Sequence, residues 1–270
     1  MSAAPATTVV ALKRTEGAER TLVCLGFCGG GTAAYHEWAA AVPAGTDLLA
    51  VCYPGREGRF AEDFADSWEA LAEDAAAAVR AATAPGVPYV LFGHSMGGWM
   101  AFDVTTRLTA AGDLLPRTLV VSSCNAPDRG LTARDRFPDR RGTDDELLTW
   151  MSTHGLLPAY VLADEDLTEM AVELMRADLR VRDSFTYGGA KVGVPLQVLS
   201  GADDPVVGDD TGARWGALTT AAHRHDVLPG GHFYTPEVWR TLPDRIPALT
   251  APDGLPHAPA TGHRDPEKAA

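Results

Sequence analysis

Apolar residues along this chain fall into short runs separated by glycine- and proline-rich turns and by segments with helical periodicity. Thr8 to Arg14 has weak strand character, as expected for an edge strand. Thr21 to Gly26, Asp47 to Tyr53, Tyr89 to His94, Thr118 to Ser123, Pro195 to Ser200 and Arg224 to Leu228 read as strands, the most apolar of them buried on both faces. Between them lie helical stretches: Ala33 to Val42, Trp68 to Ala82 (capped by Asp66 or Ser67, with Glu69 in its first turn), Trp99 to Ala111, and Pro236 to Ile246. Pro85-Gly86 stops the second of these, and Pro88 opens the strand after it. Strand-helix alternation of this kind predicts an α/β fold around a mostly parallel sheet.

The alternation breaks once. From Arg134 to Tyr187 no strand is evident, only two amphipathic segments, Asp144 to His154 and Asp164 to Phe185; in the second, Leu167, Met170, Leu174, Ala177 and Val181 recur at helical spacing. An inserted helical segment over about 130–188 reads as a lid, with ordinary helical packing as the alternative. The expected organisation is one domain over 1–250 and a disordered tail rich in Pro, Gly and charge over 251–270. No internal repeat is visible.

At 270 residues and 46% hydrophobic, the chain can bury one large core. Its formal net charge of -13 argues against nucleic acid or an anionic membrane as main partner. Cys24, Cys28, Cys52 and Cys124 lack metal-site spacing and disulfide density, so they read as reduced, buried thiols. No signal core and no run of about 20 apolar residues is present, which predicts a cytoplasmic protein.

The chemistry gathers at loops that follow strands. Gly93-His94-Ser95-Met96-Gly97, between a strand and a helix, is a G-x-S-x-G pattern in the setting that makes it a nucleophile elbow, and Ser95 is the candidate nucleophile. A serine hydroxyl needs a base; His232, in Gly230-Gly231-His232-Phe233 after the last strand, is placed to supply it. His94 reads as structural, His223, His225, His257 and His263 as surface residues, and His36 and His154 fit either role. The base needs a carboxylate. Gly201-Ala202-Asp203-Asp204-Pro205 offers two, of which Asp204 is favoured over Asp203, and Asp128 is a further alternative. The order Ser95, Asp204, His232 is that of α/β hydrolases. Oxyanion donors are expected from the amides of Met96 and of Cys28, the latter in the loop Phe27-Cys28-Gly29-Gly30-Gly31-Thr32. That loop lacks the Gly-Lys-Ser/Thr of a phosphate loop and the glycine spacing of a dinucleotide site. A thiol nucleophile at Cys28 is the weaker reading. Phe27, Trp99, Trp150, Met151, Tyr160 and Phe185 are candidates to line an acyl chamber.

Taken together, the elbow Gly93 to Gly98, the turn Tyr53-Pro54-Gly55-Arg56, Asp144-Asp145-Glu146-Leu147-Leu148, Arg176-Ala177-Asp178-Leu179-Arg180 and the acid and histidine loops resemble the stand-alone type II thioesterases of polyketide and nonribosomal peptide biosynthesis. The resemblance spans about Thr21 to Ile246. Many members carry Phe-Pro-His-Ala-Gly-Gly where this chain has Leu25-Gly26-Phe27-Cys28-Gly29-Gly30: the glycines remain, the proline and histidine do not. The resemblance implies an α/β-hydrolase fold with a helical lid, and hydrolysis of acyl thioesters from the phosphopantetheine arm of acyl or peptidyl carrier proteins, removing stalled or incorrect groups. It implies no metal or redox cofactor, since phosphopantetheine belongs to the substrate, and carriers met transiently; a monomer is the expected state of the chain. Carriers are usually acidic, so Arg134, Arg136, Arg140 and Arg141 are candidate docking residues, against the alternative of a solvated loop balanced by Asp135 and Asp139. A small-molecule esterase, a product-releasing thioesterase and a catalytically idle binding scaffold are the competing readings.

Overall fold

The computed structural model describes residues 8–251; the expected tail, with His257 and His263, lies outside them. Seven strands form one sheet: β1 (Val9–Lys13), β2 (Arg20–Leu25), β3 (Thr46–Val51), β4 (Tyr89–His94), β5 (Thr118–Ser122), β6 (Leu196–Gly201) and β7 (His223–Leu228). Their order is β1-β3-β2-β4-β5-β6-β7, with β1 antiparallel at one edge and every other pairing parallel. Strands β3, β4, β5 and β6 are buried along their whole length, as apolar runs covered on both faces must be. β7 is the far edge, and its outward positions are exposed.

Two apolar layers cover the sheet. One packs α1 (Trp68–Ala82), α2 (Met96–Ala111) and the inserted helices against Val23, Leu91, Val121 and Val198. The other packs Tyr35, Trp38 and the C-terminal turns against Leu22, Phe92 and Val120. Ser67 is the residue that caps α1, its Oγ accepting from the Ala70 amide. The inserted segment holds α3 (Asp144–Thr153), which opens with a reciprocal Thr143–Glu146 capping box, then α4 (Ala159–Leu162) and α5 (Glu165–Ser184).

Several expectations need correction, each for a local reason. Residues expected as a helix over 33–42 form a 3-10 helix, Thr32–Ala40, whose buried residues Thr32, Tyr35 and Trp38 recur every third position, the period of that helix. α2 begins at Met96, a turn before Trp99, because Gly97 and Gly98 serve close packing at a cost in helix propensity. The helix expected to reach Ile246 stops as α7 (Pro236–Arg240), and two 3-10 turns follow, each with proline at its start. A further short helix, α6 (Thr211–Gly216), contains two glycines and gives no helical signal. On α5 the expected face is the buried one only in its second half: Ala177 and Val181 are buried, Leu167 and Leu174 half-buried and Met170 exposed, and Val172, Met175, Asp178, Leu179 and Arg182 are buried as well. Asp178 and Arg182 are charged, so an apolar pattern finds only part of the buried face.

Candidate active site

The loops that follow β2, β4, β6 and β7 all open on the carboxyl edge of the sheet, where α/β proteins gather their chemistry. β4 sits in the middle of the sheet and delivers Ser95 directly into α2. Ser95 has φ 54° and ψ −123°, a backbone state that costs an L-residue about 1–3 kcal/mol. The surroundings hold it there: its amide donates to the Ser122 carbonyl at 2.7 Å, and its carbonyl accepts from the Gly98 amide at 2.9 Å. Glycine at 93 is required by contact, since a Cβ there would lie 1.8 Å from the Gly97 carbonyl oxygen.

The structure brings together the three residues expected to do chemistry. His232 Nε2 lies 3.0 Å from Ser95 Oγ, and Nδ1 lies 2.9 Å from Asp204 Oδ2. The Asp204 side chain is fully buried and accepts from the Val206 amide through its other oxygen, whereas Asp203 is exposed. An ionised carboxylate only accepts hydrogen bonds, so Asp204 accepts from the Nδ1–H of the imidazole and leaves Nε2 as an acceptor facing the serine. The approach is tight: a Cβ on Gly201, at the end of β6, would meet the Gly231 carbonyl oxygen at 2.1 Å. Asp128 points elsewhere, pairing with Arg214.

Met96 opens α2, and its sulfur lies 3.5 Å from the Cys28 thiol, so the two expected oxyanion amides come from adjacent residues. The next two amides of the glycine loop are engaged, Gly29 with Asp178 and Gly30 with the Phe27 carbonyl. Burial pushes the Cys28 thiol up to about 12, a protonated state that argues against a thiol nucleophile there. All four cysteines are free and buried.

Phe27, Trp99 and Trp150 line a small cavity of about 20 Å³ with Ser95 and His232, and buried Asp135 and Arg182 stand at its wall. Tyr160, 69% exposed, lies instead on a wider groove of about 980 Å³ that also reaches His232, between the glycine loop and the segment around His154. Phe185 lines neither cavity; it stacks behind Trp99 and against Trp68. Met151 is buried with its sulfur under Gly29. The network that fixes the loops was not legible as function. Asn125 donates to Asp135 and to the Val206 carbonyl and accepts from the Gly208 amide, clamping the loop that carries Asp204. Arg56, Glu57 and Asp178 do the same for the glycine loop. Arg56 and Asp178 stand in two of the family-like motifs without a role that the sequence shows, and Asn125 and Glu57 carry no signal at all.

His94 is structural, as expected. It is fully buried, its Nδ1 pairs with Ser122 Oγ, and that hydroxyl pairs with Tyr234 OH. Burial, and then the neighbouring His232, holds its pKa well below the usual range. The unfolded chain therefore binds a proton here that the folded protein refuses. Stability from this residue is complete above about pH 6.5 and declines below it by about 1.4 kcal/mol per pH unit until the folded ring protonates. Melting curves between pH 7 and 5 should show this slope in the wild type and a shallower one in His94→Asn; equal slopes would contradict it.

The comparisons with known proteins agree with this geometry. The thioesterase domain family matches residues 20–246. A Streptomyces griseus protein described as a probable cadicidin biosynthesis thioesterase is 30% identical over 233 residues, covering 86% of this chain and 63% of its own length; the chain thus spans under two thirds of that relative. Among solved structures, the type II thioesterase BorB from the borrelidin biosynthetic cluster is 33% identical with a TM-score of 0.77, covering 89% of this chain and 96% of its own. RedJ, a thioesterase from the prodiginine biosynthetic pathway in Streptomyces coelicolor, is 28% identical with a TM-score of 0.75, covering 87% of each chain.

Proposed function

We propose that this chain, which belongs to the thioesterase family, hydrolyses acyl thioesters carried on the phosphopantetheine arm of acyl or peptidyl carrier proteins, and so clears stalled or incorrect acyl groups in polyketide or nonribosomal peptide biosynthesis. The observation that carries this reading is the hydrogen-bonded line Ser95–His232–Asp204 at 3.0 and 2.9 Å. His232 Nε2 takes the proton of Ser95 as its oxygen attacks the thioester carbonyl. The amides of Met96 and Cys28 receive the negative charge that forms on the carbonyl oxygen. As the C–S bond breaks, the imidazolium returns the proton to the leaving thiolate, which departs as the carrier thiol. Water, deprotonated by His232, then attacks the acyl-serine, and the acid leaves as Ser95 recovers its proton. Side chains and water account for every proton moved.

The wide groove that reaches His232 is the natural path for a thin, extended arm and the acyl group it carries, whereas the cavity of about 20 Å³ at Ser95 has room for little more than a water molecule. We place this work in the cytoplasm, where modular synthases operate; among the described residues no helix is long and apolar enough to cross a membrane. The test compares a carrier protein loaded with an acyl group against a simple ester of the same acid. Faster turnover of the loaded carrier is expected, and a strong preference for the ester would mark a small-molecule esterase.

Docking an acidic carrier on a chain of charge −13 requires a local basic surface. Arg134, Arg136, Arg140 and Arg141 are exposed at the start of the inserted segment, whereas Asp135 is buried and bonded to Asn125 and Thr132, so it does not face a partner. Reversing Arg140 and Arg141 to Glu should raise KM for the acyl-carrier substrate about tenfold or more and leave a free acyl thioester unchanged. Equal effects on both substrates would rule this docking surface out.

A further inference from the structure

Asp178 and Arg56 form a buried ion pair that the chemistry above does not use. Arg56 lies in the turn after β3 and Asp178 on α5, with side chains 6% and 3% exposed. The guanidinium donates twice to the carboxylate, at 2.9 and 2.6 Å. Each partner also holds the glycine loop: Asp178 accepts from the Gly29 amide at 2.8 Å, and Arg56 donates to the Gly30 carbonyl at 2.8 Å. The next residue, Glu57, accepts from the Thr32 amide and hydroxyl and from the Ala33 amide. Peptide planes on the carboxyl side of Cys28 are therefore pinned from outside, by α5 and by the turn that carries Arg56.

A backbone amide in a glycine loop has no side chain to orient it. Gly29 has φ 72°, and glycine passes readily between such states, so the direction of the Cys28 N–H depends on what grips the residues after it. A buried ion pair of this kind is poor evidence of stabilisation, because desolvation consumes much of the attraction; a positional role is a better account of its presence.

We propose that Asp178 and Arg56 are positioning residues for the oxyanion site: together they lock the 28–31 backbone so that the Cys28 amide faces Ser95, and they tie that geometry to the inserted helix α5. The inference rests on the hydrolytic reading of Ser95. It makes the position of α5 a condition for transition-state stabilisation and not only for substrate access. Displacing the helix would move the Gly29 anchor with it.

The experiment uses Asp178→Asn, the double variant Arg56→Gln/Asp178→Asn, which leaves no unpaired buried charge, and Arg56→Lys. Substrate is an acyl thioester of N-acetylcysteamine; ligands are a trifluoromethyl ketone bearing the same acyl chain, which forms an oxyanion on Ser95, and the matching unreactive amide. Folded variants should lose about 10- to 100-fold in kcat, less than outright removal of a donor, with KM nearly unchanged. They should bind the ketone more weakly by a similar factor and the amide as before, with Arg56→Lys intermediate. Gly29 should exchange its amide hydrogen faster in the Asp178 variants. Wild-type kcat in a folded double variant would overturn the proposal, as would an equal loss of amide and ketone affinity, or failure of all three variants to fold, which would make the pair a structural clamp. If the wild type hydrolyses no thioester, the Ser95 reading fails separately, and unchanged Gly29 exchange would then overturn this one.

Discussion

Replacing Ser95 with alanine is expected to lower kcat toward acyl-carrier substrate by about 10⁵- to 10⁶-fold, with little change in stability. The magnitude follows from how such groups act: loss of the nucleophile from a serine triad costs nearly as much as loss of the whole set, and the residual rate comes from binding and the oxyanion site. Nothing else at this site replaces the hydroxyl. The Cys28 thiol is held protonated by burial, and the Ser123 side chain is buried. A steady-state assay with a melting curve on the same sample checks both; an alanine variant with more than about 1% of wild-type activity would contradict the assignment.

Asp204→Asn should cost about 10⁴-fold in kcat, while Asp203→Asn should stay within about twofold of wild type. Both residues stand in one loop, and burial separates them. Asp204 is enclosed and bonded to His232 Nδ1 and to the Val206 amide; Asp203 faces solvent. Asparagine at 204 can turn its amide nitrogen to the ring, which favours the tautomer with Nε2–H pointing at Ser95. That ring cannot accept the serine proton. The loss should therefore fall on kcat and leave KM and melting temperature close to wild type. A large loss at 203 with a small one at 204 would reverse the assignment.

The strands, and the meeting of Ser95, His232 and Asp204, were legible because their signals are local. A buried parallel strand needs an unbroken apolar run, and the tight turn at Ser95 needs glycines at 93 and 97, so the sequence carries both openly. The edge strand β1 was readable from its weak, half-buried character. What stayed hidden depends on contacts between distant segments. Asp178 and Arg182 look like the polar side of α5 until Arg56 and the carbonyls of Arg136 and Pro138 are brought against them. Tyr35 and Trp38 have the spacing of a 3-10 helix, but so few residues do not separate it from an α-helix by pattern alone. In the sequence only the following proline separates Asp204 from Asp203, whereas the structure distinguishes them by burial. Tyr160 and Phe185 were grouped with Trp99 and Trp150 by residue type, and only packing assigns them to a groove wall and to a second layer.

The central claim is that Ser95 carries the acyl group between loss of the carrier thiol and release of the acid. Rapid-quench mass spectrometry of the enzyme mixed with excess acyl-carrier substrate measures this directly. A mass increase equal to the acyl group, confined to the peptide that contains Ser95, should form with the first equivalent of free carrier thiol, and the Ser95→Ala enzyme should show neither. Acyl transfer to a different residue, or thiol release that persists in Ser95→Ala, would contradict the account.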